Sequence, residues 1–208
     1  MISPRLAPSS LCLLFWCVAL ALCPVGDAAP TDQAQVAAVR FAIVRPPGDG
    51  ATNWLEMTVE INARPATNTP GRVTERVRVE ARLGYERPVA GGTKQWRFYR
   101  AHAGVVGLVS GRNLVRFYLP PEIVRRDALA DAPEYWDIMV GGDSLAPSAA
   151  LTRHSTSLAT EAVYRGFLDK VSSEGGTNDG VLQPQFLTPF RDVYTRDTPT
   201  FTRTEAWR

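Results

Sequence analysis

Past Cys23 the sequence contains no cysteine, and the other two, Cys12 and Cys17, lie in the same N-terminal stretch. Disulfides, thiolate nucleophiles and cysteine-bound metals are therefore excluded from everything downstream. Histidine is almost as scarce. His102 and His154 stand alone, and neither belongs to an H-x-x-x-H pair that could offer two imidazoles to zinc. Charge of one sign is also lacking: 23 basic and 21 acidic side chains leave a formal net charge of +2, in alternation rather than in a basic stripe. Nucleic-acid binding is not expected of such a surface. The longest apolar run, residues 11–22, is shorter than the roughly 20 residues that cross a bilayer comfortably.

That run is preceded by one positive charge, Arg5, and followed by the small residues Ala28 and Ala29. The pattern predicts a secretory signal peptide over residues 1–28. Two alternatives are a short anchor left uncleaved and lipid attachment at Cys23, because Leu20-Ala21-Leu22-Cys23 partly matches a lipobox. Cleavage leaves a chain without a stable membrane span, long enough to bury about 70% of its unfolded surface in one core.

From Val36 to Tyr118 the apolar residues recur with a period of two. Val39, Phe41 and Ile43 form one series; Leu55, Met57, Val59 and Ile61 a second; Val73, Val77, Val79, Ala81, Leu83 and Tyr85 a third. Such strands have one dry and one wet face. Pro- and Gly-rich segments at 46–50, 63–71 and 86–92 divide them. A further strand starts at Gln95, with a possible reach to Val109, and Leu114–Leu119 follows. Pro120-Pro121 stops that strand, a helical turn spans Glu122–Leu129, and Tyr135–Val140 is the next strand. Strands with one dry face must bury it against a second sheet, so the fold class expected is mainly β: an immunoglobulin-like β-sandwich over residues 33–158, with Leu151–Leu158 as its last strand.

After Leu158 the period changes to that of a helix: Val163, Tyr164, Phe167, Leu168 and Val171 share one side, with Ser157 or Thr160 to cap it and Gly175-Gly176 to stop it. A packed helix is expected over residues 159–176. Residues 177–208 read as an extended edge segment, Val181–Phe190, and a loose tail, because Pro184 and Pro189 cannot donate to a sheet ladder. The Gly-rich tether before it gives Val181–Phe190 the reach to cover its own sheet edge or a neighbour's, so a homodimer by strand exchange is a possible state.

No constellation of side chains predicts an enzyme. Gly142-Asp143-Ser144-Leu145 is similar to the nucleophile block of GDSL esterases, but His154 has no Asp three residues before it, and a serine without a base has no route to activation. A turn after a strand accounts for those residues. Gly91-Gly92-Thr93-Lys94 lacks the leading glycine of a phosphate loop and reads as a hairpin turn. No cofactor or metal is expected. Aromatics remain: Trp96 and Trp136 read as core, whereas Trp54, on the polar face of its strand, and Trp207 are candidates to meet a partner. A carbohydrate-binding module using Trp54 is the alternative function.

Several blocks carry a family resemblance. Trp96-Arg-Phe-Tyr99, Val115-Arg-Phe-Tyr-Leu-Pro-Pro-Glu-Ile-Val124, Pro133-Glu-Tyr-Trp136, Phe167-Leu168 and Leu182-Gln-Pro-Gln-Phe-Leu-Thr-Pro-Phe190 are similar to pilus-like proteins of verrucomicrobial bacteria, encoded with type IV pilus-like components. The long N-terminal apolar helix that defines true type IV pilins is missing from this sequence. The resemblance implies an immunoglobulin-like fold, a non-enzymatic structural role, and protein partners in a periplasmic, outer-membrane-associated or surface assembly. On this reading the partner-contact residues are Trp54, Val181, Leu182, Phe186, Leu187 and Phe190.

Overall fold

The computed structural model describes residues 31–48, 51–68, 70–88, 94–130 and 132–202. The expected signal peptide with Cys23, the turn at 91–93 and Trp207 lie outside them. Among the described residues eight strands form two antiparallel sheets: β1 (Gln33–Val44), β2 (Trp54–Arg64), β5 (Gly111–Leu119) and β8 (Gln183–Pro184) in one, and β4 (Lys94–Val105), β3 (Val77–Pro88), β6 (Tyr135–Gly141) and β7 (Thr152–His154) in the other. Strands β1, β2 and β5 thus face a sheet in which β3 lies between β4 and β6. This is the connectivity of an immunoglobulin-like sandwich whose fourth strand has joined the opposite sheet. Helix α1 (Pro121–Arg126) carries the chain from β5 across to β6, and Pro121 suits its first turn because the missing N–H would have had no partner there.

The alternation in the sequence becomes the core. Met57, Val59 and Ile61 of β2, Val115, Phe117 and Leu119 of β5, Val77, Val79, Ala81 and Leu83 of β3, and Ile138 and Val140 of β6 are buried in one cluster between the sheets. Each large side chain so buried contributes about 1.5–3 kcal/mol, and the core needs no disulfide. Trp136 joins this cluster half-buried, its ring 6.4 Å from that of Phe41 on β1.

Helix α2 (Glu161–Glu174) lies on the outer face of the second sheet and forms a smaller cluster there. Phe167 and Val171 pack with Phe98 and Leu158, and Trp96 stacks on Tyr135 at 4.8 Å beside them. Trp96 is therefore covered by this second layer rather than by the main core. Gly84 makes the close approach possible, because a Cβ there would sit 3.2 Å from the rings of both Phe167 and Phe98.

Two strands differ from their sequence expectations. Strand β4 ends at Val105 rather than reaching Val109, since Gly107 passes against the backbone of Thr74 and Val109 bridges Val73 instead. Strand β7 spans only Thr152–His154, because Ser155 turns the chain: its N–H donates to the Trp136 carbonyl and its hydroxyl to that of Glu134. Helix α2 ends at Glu174 with Gly175 as its cap, where the sequence puts the stop. Gly175 keeps a right-handed conformation and the chain tightens into a short 3-10 turn over Gly175–Asn178.

Buried polar groups lock the ends of the sandwich. Asp32 accepts from the N–H groups of Ala66 at 2.7 Å and Glu75 at 3.3 Å. Asn113 is fully buried and folds the β4–β5 connection with bonds to the N–H and C=O of Val109 and the carbonyl of Gly111. Asp127, behind α1, accepts from the buried Tyr99 hydroxyl and from Arg126 at 2.6 and 2.9 Å. Burial opposes ionisation of Asp127, but the bonds from Arg126 and Tyr99 prevail and hold its carboxyl below the usual range. Burial and the Asp127 charge together push the Tyr99 hydroxyl well up.

Two outcomes follow from these contacts. Gly84→Ala will push α2 off the sheet and lower unfolding free energy by about 1–3 kcal/mol, read by urea denaturation. For Asp127 the folded carboxyl titrates below its unfolded value of about 3.9, so its stabilisation is complete above about pH 4 and lost as pH falls through the lower folded value. Asp127→Asn will therefore be less stable at neutral pH and show a shallower loss of stability on acidification than the wild type.

Candidate functional site

After β8 the chain does not leave the domain. It crosses the outer face and open edge of the first sheet and then reaches the second. Residues Gln183 and Pro184 pair with Tyr118 and Phe117 of β5. Further along, the Asp197 carbonyl accepts from the N–H of Leu114 at 2.7 Å, and Arg116 donates to the Thr198 hydroxyl at 3.0 Å. The strap then moves to β4, where Thr200 accepts from Val106 at 2.9 Å, Phe201 bridges Val105, and Thr202 donates to Gly104 at 2.8 Å. Residues 191–202, expected to be a loose tail, are held by these bonds because the edges of β5 and β4 offer unpaired backbone groups side by side.

The strap is anchored by three rings. Phe190, only 4% exposed, stacks on Tyr118 with centroids 4.4 Å apart and planes 5° from parallel, and its edge meets the half-buried Trp54 at 5.8 Å and 84°. Tyr118 and Trp54 stand on the outer face of the first sheet, the face that also carries Glu56. The Tyr118 hydroxyl donates to Glu56 at 2.8 Å, and burial together with that carboxylate raises its pKa well above the usual phenol value. Geometry of this kind, edge-to-face and offset-stacked, is worth about 0.5–1.5 kcal/mol per pair beyond area burial.

Beside the rings, Gln185 organises the backbone. Its side chain is fully buried, and its amide nitrogen donates to the carbonyls of Phe190 at 3.1 Å and Val193 at 2.7 Å. Thr188 completes the loop, donating to the Gln185 carbonyl at 2.8 Å and accepting from the Phe190 N–H at 3.2 Å. These bonds fix a short loop that holds Leu187 64% exposed and Tyr194 54% exposed, beside the exposed ion pair Arg191–Asp192.

The six residues read from sequence as partner contacts divide accordingly. Leu182 lies in the main core and Val181 packs against it. Phe190 and Trp54 meet each other, Phe186 packs on Phe201 at 5.4 Å, and Leu187 faces solvent. Phe186 and Phe201, with Arg191, Asp192, Tyr194 and Thr200, line an open depression. Sequence reasoning did not single out Tyr118, Gln185, Val193 or Tyr194 as site residues. Tyr118 had a readable signal, an aromatic on the wet face of β5; Gln185 and Tyr194 had none.

The remaining candidates fall elsewhere. The Ser144 hydroxyl is buried without a hydrogen-bond partner among the described residues. His154 lies on β7 with its ring 5.4 Å from that of Tyr164. It is paired in register with Asp137, whose buried carboxyl is pushed up by desolvation although Arg82 donates to it at 2.6 Å. Among the described residues no group of three or more His, Cys, Asp or Glu side chains is placed to hold a metal ion, and no helix is long and apolar enough to cross a membrane.

Phe190→Ala will remove the ring that joins Tyr118 to Trp54. Unfolding free energy is expected to fall by about 3 kcal/mol or more, and Trp54 emission will shift to the red. The shift will be absent from the same substitution made in a Trp54→Phe background.

No protein-family model and no curated protein matches the chain. A solved structure does: a crystal structure from Akkermansia muciniphila shares 14% sequence identity, covering 83% of this chain and 94% of that one, with a TM-score of 0.62. The likeness is one of fold, and it extends over nearly the whole of the other protein.

Proposed function

We propose that the chain is an exported, non-enzymatic interaction protein of a type IV pilus-like or related cell-envelope assembly. The observation that carries this reading is the strap loop: Leu187, Val193 and Tyr194 are held in solvent on a base made rigid by Gln185, Thr188 and Phe190. Rigid apolar and aromatic side chains lose little conformational entropy on binding, which favours a protein partner over a flexible or charged ligand. Two further points support it. The blocks similar to verrucomicrobial pilus-like proteins converge in space, with Phe117 paired to Pro184 and Tyr118 stacked on Phe190. The fold neighbour also comes from a verrucomicrobial bacterium.

The test is a photo-crosslinking residue at Leu187 or Tyr194, installed in the native bacterium and activated in intact envelopes. Crosslinks to a pilus-like or envelope component are expected from both positions and from neither Glu161 nor Lys170, which are exposed on α2 at the outer face of the second sheet. Leu187→Glu will abolish capture while changing stability by no more than about 0.5 kcal/mol, as for an exposed site. Adducts confined to abundant soluble proteins, or equal at all four positions, would overturn the reading.

A further inference from the structure

A β-sandwich has to guard the outer strands of both sheets, because their unpaired N–H and C=O groups accept any extended chain. This fold guards them unequally. The outer edge of β4 is covered by the Asn178 side chain on the Phe98 carbonyl and by Thr200 and Thr202 of the strap. β7 is only three residues long. The start of β1 is covered as well: Asp32 exchanges bonds with Ser144 and Ala146, and Arg153 donates to the carbonyls of Val36 and Ala37. From Ala38 to Val44, among the described residues, the outer edge of β1 has no partner. Over this stretch β1 has one charged residue, Arg40, and neither proline nor lysine. Its inner-face residue Phe41 is only half-buried and Ile43 is 40% exposed, beside the half-buried Trp136.

We infer that the open half of β1 pairs antiparallel with the same segment of a second copy, joining the two first sheets into one across a two-fold axis at Phe41. The register follows from the sequence. Residues 38–44 have Phe41 at their midpoint, so a two-fold there pairs every open residue with another open residue. It sets Phe41 opposite Phe41, Val39 opposite Ile43, and Ala38 opposite Val44. It also sets Arg40 opposite Ala42, which avoids the Arg40–Arg40 contact of a two-fold shifted by one residue; like charges directly opposite are destabilising. Inward-facing side chains stay inward in both copies, and the rings of Phe41 and Trp136 lose their remaining exposure. A two-fold contact of this kind closes on itself and ends at the dimer. It uses neither the strap loop nor the envelope partner, so it stands or falls separately from the function proposed above.

The test uses Ala42, whose side chain is on the outer face and lies opposite Glu56 within the monomer. Ala42→Lys is favourable or neutral in the monomer but places a lysine against Arg40 of the second copy twice per dimer. With the chain as processed by a secreting host, sedimentation is expected to show a wild-type dimer. Ala42→Lys should weaken it by roughly tenfold or more, with an unchanged thermal melt at dilutions where both proteins are monomeric. Ala42→Glu, facing Arg40, should keep or tighten it, and high salt should shrink the difference between the variants. Hydrogen exchange should show amides of Ala38–Val44 protected as concentration rises in the wild type and not in Ala42→Lys. A monomer at millimolar concentration would overturn the inference. So would a dimer indifferent to both substitutions, including one lost only when the chain ends at Gly180, which would place the contact in the strap.

Discussion

The inner faces of β2, β5, β3 and β6 can be dry only if they meet each other, and that mutual burial is what everything else in the structure rests upon. Val59, Ile61, Val79, Ala81, Phe117 and Ile138 have no exposed surface, and no covalent bridge supplements them. A core of this kind is non-directional in energy but demanding in parity: a strand slipped by one residue would turn its whole apolar set to solvent. The buried polar groups Asp32, Asn113 and Asp127 sit at the ends of the strands and add the direction that apolar contact lacks. Each is bonded to backbone or to another buried group, and each would be costly to leave unpaired.

Closing the core leaves the sheet edges and outer faces to be dealt with, and the C-terminal third of the chain does most of that. Helix α2 covers the aromatic end of the second sheet, where Gly84 lets Phe167 approach the strand backbone. The strap covers the adjacent edges of β5 and β4 and ties the two sheets together on that side. On the opposite side a bulge between Val36 and Ala38 and the guanidinium of Arg153 protect only the first half of β1. Among the described residues the fold is thus sealed on one flank and half open on the other. Exposed apolar side chains stand at both, Leu187, Val193 and Tyr194 on the strap loop and Ile43 on the second half of β1.

The strands were legible because alternation is a local signal that survives without knowledge of partners. Leu55 to Ile61 and Val77 to Tyr85 face inward as their period requires, and the Pro120-Pro121 stop, α1 and β6 fall where the sequence puts them. Helix α2 was legible for the same reason, through Phe167 and Val171. Limits of elements were less so. Gly107 looked compatible with a continuing strand until the Thr74 backbone occupied the space beside it. The aromatic Trp54 was readable as a wet-face residue, but not the fact that Phe190, far away in sequence, would come to lie against it. Gln185 was invisible for a related reason: a glutamine between a proline and a phenylalanine carries no pattern, and its burial depends on the carbonyls of Phe190 and Val193 arriving around it.

By itself, then, the amino-acid sequence determined the parity of the strands, the amphipathic face of α2, the stops at proline and glycine, and a core without cysteine, all of which depend on residues near one another along the chain. Tertiary structure decided which edges are covered and which rings meet: that Val181–Phe190 and the residues after it close the β5 and β4 edges, that Phe190 links Tyr118 to Trp54, and that, among the described residues, β1 stays open beyond Ala38. Those outcomes depend on which backbone groups remain unpaired once the sheets have formed, and that remainder exists only in three dimensions.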